Sequence, residues 1–314
     1  MIPQDQIKPV ELKYKSEFKP TELDEAKACV EAHGFAIIKK VISQSFVEEL
    51  RVALQAAINP LNDMKPGESR VVHAFVEKCP TLLKFFDIPE WFNIIRHFEG
   101  TDDLVMRRNA AIIRNPGASG SSWHTDWSFW SGLYKRPPRT PNDVLNIHEG
   151  LAGRWFYLEG TKPIQGGLAV IEDSHTLDWT APEGFEFNDD RSTFYKIDTP
   201  PKAYNGWDVP GIVPLFTDPG DMILFAARTY HFAFPNQTQV IRHSVGGPGL
   251  RARSLPVYHP WPMPESTKKF IESLPPHLKK YADGYNGYDA TWKFKPDHAA
   301  EPAGQPAPQP ANMM

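Results

Sequence analysis

The chain has 314 residues and a mass of 35.5 kDa, enough for one large domain or two small ones. Lys and Arg total 34 against 38 Asp and Glu, a formal net charge of −4. That balance excludes the basic excess of a nucleic-acid binder or a polybasic membrane-surface protein. No uncharged apolar run approaches the roughly 18 residues of a membrane span. The opening MIPQDQIKPVELKYKSEF lacks the basic end and apolar core of a secretory leader. The two cysteines, Cys29 and Cys79, make no disulfide framework. The expectation is a cytoplasmic globular protein.

Residues 1–18 show no apolar period and are read as an extended arm. The run from Thr21 to Asp24 resembles a capping box and opens a helix that Gly34 would stop. Phe35 to Ile38 reads as a short buried strand. Ser45 to Glu48 resembles a second capping box, opening a helix with Phe46, Leu50, Leu54 and Ala57 on one face and Pro60 beyond its end. The stretch PTLLKFFDIPEWFNIIRHFEG is helical in texture and broken at Pro89.

From about residue 104 the pattern changes to short β-prone runs separated by Pro, Gly, Asn and Asp. These are LVMRRNAAIIRN, WHTDWSFW, GRWFYLEG, GGLAVIED, GDMILFAARTYHFAF and QVIRHSVGG. Helices first and strands afterwards predict an α+β protein, mainly β, whose core is a sandwich or barrel rather than a Rossmann-like sheet. Residues 131–150 and 176–212 are long enough to be insertions, and the first could act as a lid. Residues 19–298 are expected to form one domain, and the Pro/Ala-rich 299–314 a disordered tail.

Two places carry chemistry. In WHTDWSFW, a strand would point His124 and Asp126 to one face, an imidazole and a carboxylate together. The tripeptide alone is weak, because an exposed strand with a polar face explains it as well. After the turn at Pro219-Gly220-Asp221 and the buried run MILFAA comes His231. Arg242 follows eleven residues later, past the turn Pro235-Asn236-Gln237. This spacing predicts that His231 and Arg242 occupy neighbouring antiparallel strands. Two imidazoles and one carboxylate suit a ferrous ion with open positions, and a guanidinium suits a bidentate grip on a carboxylate.

Four features in order resemble the phytanoyl-CoA dioxygenase family of iron(II)- and 2-oxoglutarate-dependent oxygenases. They are HTD at 124–126, WFYLEGTKPIQGGLAVIEDSH at 155–175, PGDMILF before His231, and the His231-to-Arg242 spacing. The resemblance covers roughly residues 20 to 255 and implies a double-stranded β-helix. It implies His124, Asp126 and His231 as ligands of Fe(II), Arg242 on the distal carboxylate of 2-oxoglutarate, and O2 as second cosubstrate. By the same resemblance Trp155 stands beside the cosubstrate, unless it is a plain core aromatic. Thr125 takes the place of a glutamine that contacts it in some relatives. Ala233 stands where the family often has serine. Halogenating relatives lack the carboxylate ligand; Asp126 is present, so oxygen insertion or another two-electron oxidation is expected.

Trp127, Phe129, His73 and Asn109 are candidate pocket residues, with Arg108 the alternative to Asn109. The aromatics Trp123, Trp130, Phe232 and Phe234 could line a pocket or simply pack. His73 could equally be a helix-edge histidine, and His175 is read as structural. Facing away from Arg242's side of its strand, His243 is less suited than His231 to bind metal. Arg251 and Arg253 could meet an anionic group or be ordinary surface arginines. The implied activity is oxidation of an unactivated C–H bond in a small organic molecule, with 2-oxoglutarate converted to succinate and carbon dioxide. The alternatives are an acyl-CoA 2-hydroxylase, a cupin-like metalloenzyme, and an idle β-helix serving as a binding scaffold.

Overall fold

Glycine ends two of the helices, at Gly34 as anticipated and also at Gly100. Gly34 closes α1 (Leu23–His33) at φ +84°, and Gly100 closes α3 (Pro89–Glu99) at φ +68°, the left-handed turn that glycine adopts without steric cost. The computed structural model describes residues 2–107, 109–126, 151–176, 178–188, 191–254, 261–289 and 291. Neither expected capping box forms. Glu22 precedes α1 without capping it, and its carboxylate instead accepts from Lys19 N at 2.8 Å. The second helix, α2 (Gln44–Ile58), starts earlier than expected because Ser43 Oγ accepts the Phe46 amide at 3.2 Å, which puts Ser45 inside the helix. Phe46, Leu50 and Leu54 are buried on its inner face.

The strands form a larger sheet and a smaller one. In chain order they are β1 (Glu17–Phe18), β2 (Phe35–Ile38), β3 (Ser69–His73), β4 (Leu104–Met106), β5 (Ala110–Arg114), β6 (Leu151–Tyr157) and β7 (Leu168–Ile171). There follow β8 (Phe185–Phe187), β9 (Phe194–Lys196), β10 (Ile212–Pro214), β11 (Met222–Ala226), β12 (His231–Ala233), β13 (Arg242–Val245) and β14 (Leu250–Ala252). The larger sheet has seven strands in the order β1-β2-β11-β6-β13-β5-β3, and the smaller has three in the order β10-β7-β12. Strands β14 and β4 pair beside them, as do β8 and β9.

Alternation along the strands decides what each sheet face meets. On the larger sheet, Phe35 and Ile37 of β2, Ile223 and Phe225 of β11 and Tyr157 of β6 pack against Leu168, Val170, Val213 and Leu215 of the smaller sheet and its flank. The two sheets therefore face each other across this interior. The opposite face of the larger sheet, with Ala36, Ile38, Met222, Leu224 and Phe156, packs against α1, α2 and α3. The outer face of the smaller sheet is covered by the segment expected to be an insertion at 176–212. Its β8–β9 hairpin buries Phe185 and Phe194 against Trp123 and Phe232.

The extended arm is fastened at both ends. Gln4 is buried, donating from Nε2 to Pro163 O at 2.9 Å and Pro235 O at 3.1 Å, and Glu17–Phe18 pair in parallel with β2. Among the described residues a further α-helix, α4 (Glu265–Ser273), follows the strands and was not anticipated. The proposed lid at 131–150 and the tail at 299–314 lie outside the described residues.

Candidate metal and cosubstrate site

His124 and His231 reach each other through backbone pairing. His124 lies in no regular strand but forms an antiparallel bridge with His231: each amide donates to the other's carbonyl, at 3.1 and 2.9 Å. Their rings stand 4.2 Å apart between centroids. Asp126 joins them, with Oδ1 3.9 Å from His124 Nε2 and 3.7 Å from His231 Nε2.

The hydrogen bonds on the far side of each ring settle the tautomers. His124 Nδ1 lies 2.8 Å from Ser122 O, and His231 Nδ1 lies 3.0 Å from Thr229 O. A carbonyl oxygen only accepts, so each Nδ1 carries the proton and each Nε2 of the neutral ring keeps its lone pair. Both lone pairs belong to the atoms nearest Asp126. Burial, with the neighbouring His124, pushes His231 down to about 4, so its ring is neutral at physiological pH. Among the described residues one other group has metal-like spacing, the half-exposed His33 with Glu172 and Asp173, where the His33 Nδ1 contact to Asp173 at 3.0 Å reads as a surface pair.

Arg242 faces this cluster from the other sheet. The expected side-by-side placement is not what forms: β12 pairs with β7 in the smaller sheet, whereas β13 lies between β6 and β5 in the larger one. Arg242 and His231 therefore lie on facing sheets instead of along a shared edge. The Arg242 side chain is buried, with Nη1 donating to Gly166 O at 2.6 Å and Nη2 3.4 Å from Ser244 Oγ. Its guanidinium carbon sits 4.9 Å from the centre of the Tyr157 ring.

The chemistry of these donors fits a ferrous ion with a dicarboxylate cosubstrate. Cis ligands around an ion with bonds of about 2.1 Å stand about 3 Å apart, so the two edges from Asp126 to the histidines each need to contract by less than an ångström. The sequence profile of the phytanoyl-CoA dioxygenase (PhyH) family matches residues 30–244. The chain belongs to that family. It is an iron(II)- and 2-oxoglutarate-dependent oxygenase, with dioxygen as the other cosubstrate.

Among solved structures, the epimerase SnoN, in complex with Fe3+, alpha ketoglutarate and nogalamycin RO, aligns at TM-score 0.50 and 18% identity, over 72% of this chain and 82% of that one. AviO1 from Streptomyces viridochromogenes Tue57 aligns at TM-score 0.50 and 18% identity, over 75% and 97%. EvdO2 from Micromonospora carbonacea var. aurantiaca, complexed with 2-oxoglutarate, gives TM-score 0.49 and 22% identity, over 70% and 86%. At these identities the likeness to SnoN and AviO1 shows the shared double-stranded β-helix fold. No curated protein sequence matches the chain. No helix among the described residues is long and apolar enough to cross a membrane.

The remaining predicted residues of this dioxygenase-family chain separate into groups. Trp155 is half-buried on β6, on the same face as Tyr157 and packed against the inner cluster. Thr125 is buried between His124 and Asp126 in the chain, its amide donating to Ser192 O at 2.8 Å. Asn109 is tied to backbone at both ends of its amide: Oδ1 accepts from Val76 N at 3.3 Å and Nδ2 donates to Gly247 O. His73 ends strand β3 rather than a helix, and its ring lies 4.7 Å from that of Tyr288. Trp123, Phe232 and Phe234 belong to the cluster behind the smaller sheet, not to its inner face. Trp127, Phe129, Trp130 and Arg108 lie outside the described residues.

His243 points away from Arg242's side and is held by Glu159, whose carboxylate lies 2.8 Å from its Nδ1 and accepts its amide at 2.7 Å. Arg253 pairs with Asp103 and Asp283 at the surface. Arg251 reaches the buried Glu99, 3.5 Å away, and feels the charge of Asp126. His175 is buried, with Nε2 donating to Glu31 O at 2.9 Å.

Two inner-face residues escaped sequence reading: Tyr157 under Arg242, and Arg114, directly opposite Arg242 in the β5–β13 register. The signal was present for Tyr157, which stands two residues after Trp155 and so shares its face.

Proposed function

We propose that His124, Asp126 and His231 hold the iron, that Arg242 grips the distal carboxylate of 2-oxoglutarate, and that the enzyme oxidises an unactivated C–H bond of a small organic metabolite, most simply by hydroxylation. The observation that carries this reading is the pair of Nδ1-to-carbonyl contacts, which turn two Nε2 lone pairs toward one carboxylate. Folding alone does not call for such a set.

When bound, ferrous iron with 2-oxoglutarate and dioxygen supplies the oxidising power, and 2-oxoglutarate leaves as succinate and carbon dioxide. The protein's own residues do the rest. The backbone bridge between His124 and His231 fixes two ligands at once, so neither ring has to be ordered on binding. Asp126 contributes the negative charge that offsets the cation and occupies the position a halide would need. Phe225, 4.6 Å from the His231 ring, and Trp155 supply an apolar wall that keeps water from the reacting carbon. Arg242, anchored on Gly166 O, sets the cosubstrate's orientation from the opposite sheet. A small substrate is favoured by the fold's likeness to SnoN, which was crystallised with nogalamycin RO.

The test is an anaerobic titration of apoprotein with ferrous iron and then 2-oxoglutarate. A weak visible metal-to-ligand band is expected for the parent protein and lost in Asp126→Ala and Arg242→Ala. Succinate release then serves as the assay across candidate substrates. A folded parent protein that gives no band overturns the ligand assignment.

A further inference from the structure

Arg114 and Arg242 stand directly opposite each other on neighbouring strands, in the register Arg242↔Arg114. Residues so paired point to the same face with Cβ atoms about 5 Å apart, and like charges in this position destabilise a sheet. The Arg242 side chain is buried and Arg114 partly so, with its Nε shielded from solvent. Burial and the charge of Arg242 pull Arg114 down to about 10, and burial likewise lowers Arg242. Both stay charged at neutral pH.

Among the described residues no carboxylate pairs with either. Arg114 Nη1 donates to Ser119 O at 2.6 Å, and Arg242 is held by Gly166 O, Ser244 and the Tyr157 phenol. These are neutral partners. They orient the guanidiniums without cancelling their charge. The Nε of each remains buried with no acceptor. An unpaired buried N–H on a cation is costly, and here two occur side by side. Glu159, the carboxylate whose field reaches Arg242, belongs to the other face of the sheet, where Arg51 and His243 hold it.

Tyr157 completes the corner. It faces Ser244 in the β6–β13 register, its ring lies 4.9 Å from the Arg242 guanidinium carbon, and burial keeps its phenol protonated. Its O–H is thus left to donate. Across the interior, two residues after His231, the smaller sheet offers only the Ala233 methyl.

We propose that Arg114 is a second cosubstrate-binding cation, which with Arg242 and the Tyr157 hydroxyl grips the distal carboxylate of 2-oxoglutarate and replaces the hydrogen bond that Ala233 does not supply. This rests on the reading of the site given above. The pocket is then selective for a 2-oxo acid with a second carboxylate, because a monocarboxylate leaves two adjacent guanidiniums uncompensated.

The experiment compares the parent protein with Arg114→Gln and Arg114→Lys. The anaerobic iron(II) complex is titrated with 2-oxoglutarate and with 2-oxopentanoate, which differs by lacking the distal carboxylate. Separately, metal-free protein is melted with and without glutarate. Losing one charge-assisted bond raises the 2-oxoglutarate Kd about thirtyfold in Arg114→Gln, with Arg114→Lys in between and the 2-oxopentanoate Kd unchanged. Glutarate raises the melting temperature of the parent metal-free protein but not of Arg114→Gln. Without ligand, Arg114→Gln melts no lower than the parent, since it relieves a buried repulsion.

An unchanged 2-oxoglutarate Kd overturns the proposal, as does equal weakening of both oxo acids. A lower melting temperature with unaltered ligand selectivity assigns Arg114 to structure and also overturns it. If the parent protein gives no iron band yet glutarate stabilises it through Arg114, the metal assignment fails and the dicarboxylate corner stands.

Discussion

Glu99→Gln tests how the strand beneath the site is braced. Glu99 ends α3 with its carboxylate fully buried. Oε1 takes the Arg154 guanidinium and lies 3.5 Å from Arg251 Nη1, while Oε2 accepts the Ala252 amide at 2.7 Å. Arg154 is also buried, on the face of β6 opposite Trp155 and Tyr157. Glutamine keeps the shape but removes the charge, and its amide NH2 faces hydrogen-bond donors. Removing one partner of a buried ion pair costs about 3–5 kcal/mol. The acceptor that glutamine retains places this variant at about 3–4 kcal/mol. In a chain of this size each kcal/mol lowers the melting temperature by roughly 2–4 °C, so a drop of about 6–16 °C is expected. Glu99→Leu with Arg154→Met, which removes both charges and roughly keeps volume, should recover most of the loss. The assay is thermal and urea unfolding of the metal-free proteins, with an unchanged urea m-value showing that the folded state is intact. A Glu99→Gln cost below about 1 kcal/mol would refute the reasoning, because Arg154 would then have its charge met elsewhere.

Two further outcomes follow from the geometry around α1. Gly34→Ala places a methyl in a left-handed residue, 2.7 Å from Thr229 Oγ1 and 2.8 Å from His175 Nδ1, costing about 1–3 kcal/mol. Because Gly34 O anchors the Thr229 hydroxyl at 2.8 Å and the Thr229 carbonyl orients His231, the variant should also bind iron more weakly; unaltered melting and iron titration would contradict both steps. His175, whose pKa burial lowers, makes stability depend on acid: the unfolded chain takes up a proton near pH 6.5 while the folded chain resists. Stability is therefore full above about pH 6.5 and falls below it. His175→Gln should flatten that fall in urea titrations at descending pH, and an identical slope in the two proteins would count against it.

What the sequence made legible was local. Gly34 stops a helix through its own backbone freedom, and Phe35–Ile38 declares a buried strand by an unbroken apolar run. The helix starts were less readable, because Ser43 competes with Ser45 for the same cap and Glu22 finds Lys15 and Lys19 first. His124 and Asp126 do turn toward one point. They do so through a backbone bridge to His231 rather than through a strand of their own, and partners so distant in the chain leave no trace in spacing.

Non-local pairing also explains the error over Arg242. An eleven-residue separation with a turn between fits a hairpin equally well as a crossing from one sheet to the other. What decides is that β12 finds β7 while β13 finds β5 and β6. The crossing has a chemical consequence. A hairpin would place the guanidinium and the imidazole side by side on one surface. Facing sheets place them at opposite walls, where a small molecule can touch both. The same register sets Arg114 against Arg242 and Tyr157 against Ser244. Sequence motifs thus point to the proposed metal end, where the candidate ligands are close in the chain or share a bridge. The proposed cosubstrate end is assembled by strand register, and Arg114 becomes visible there only when the sheet is laid out.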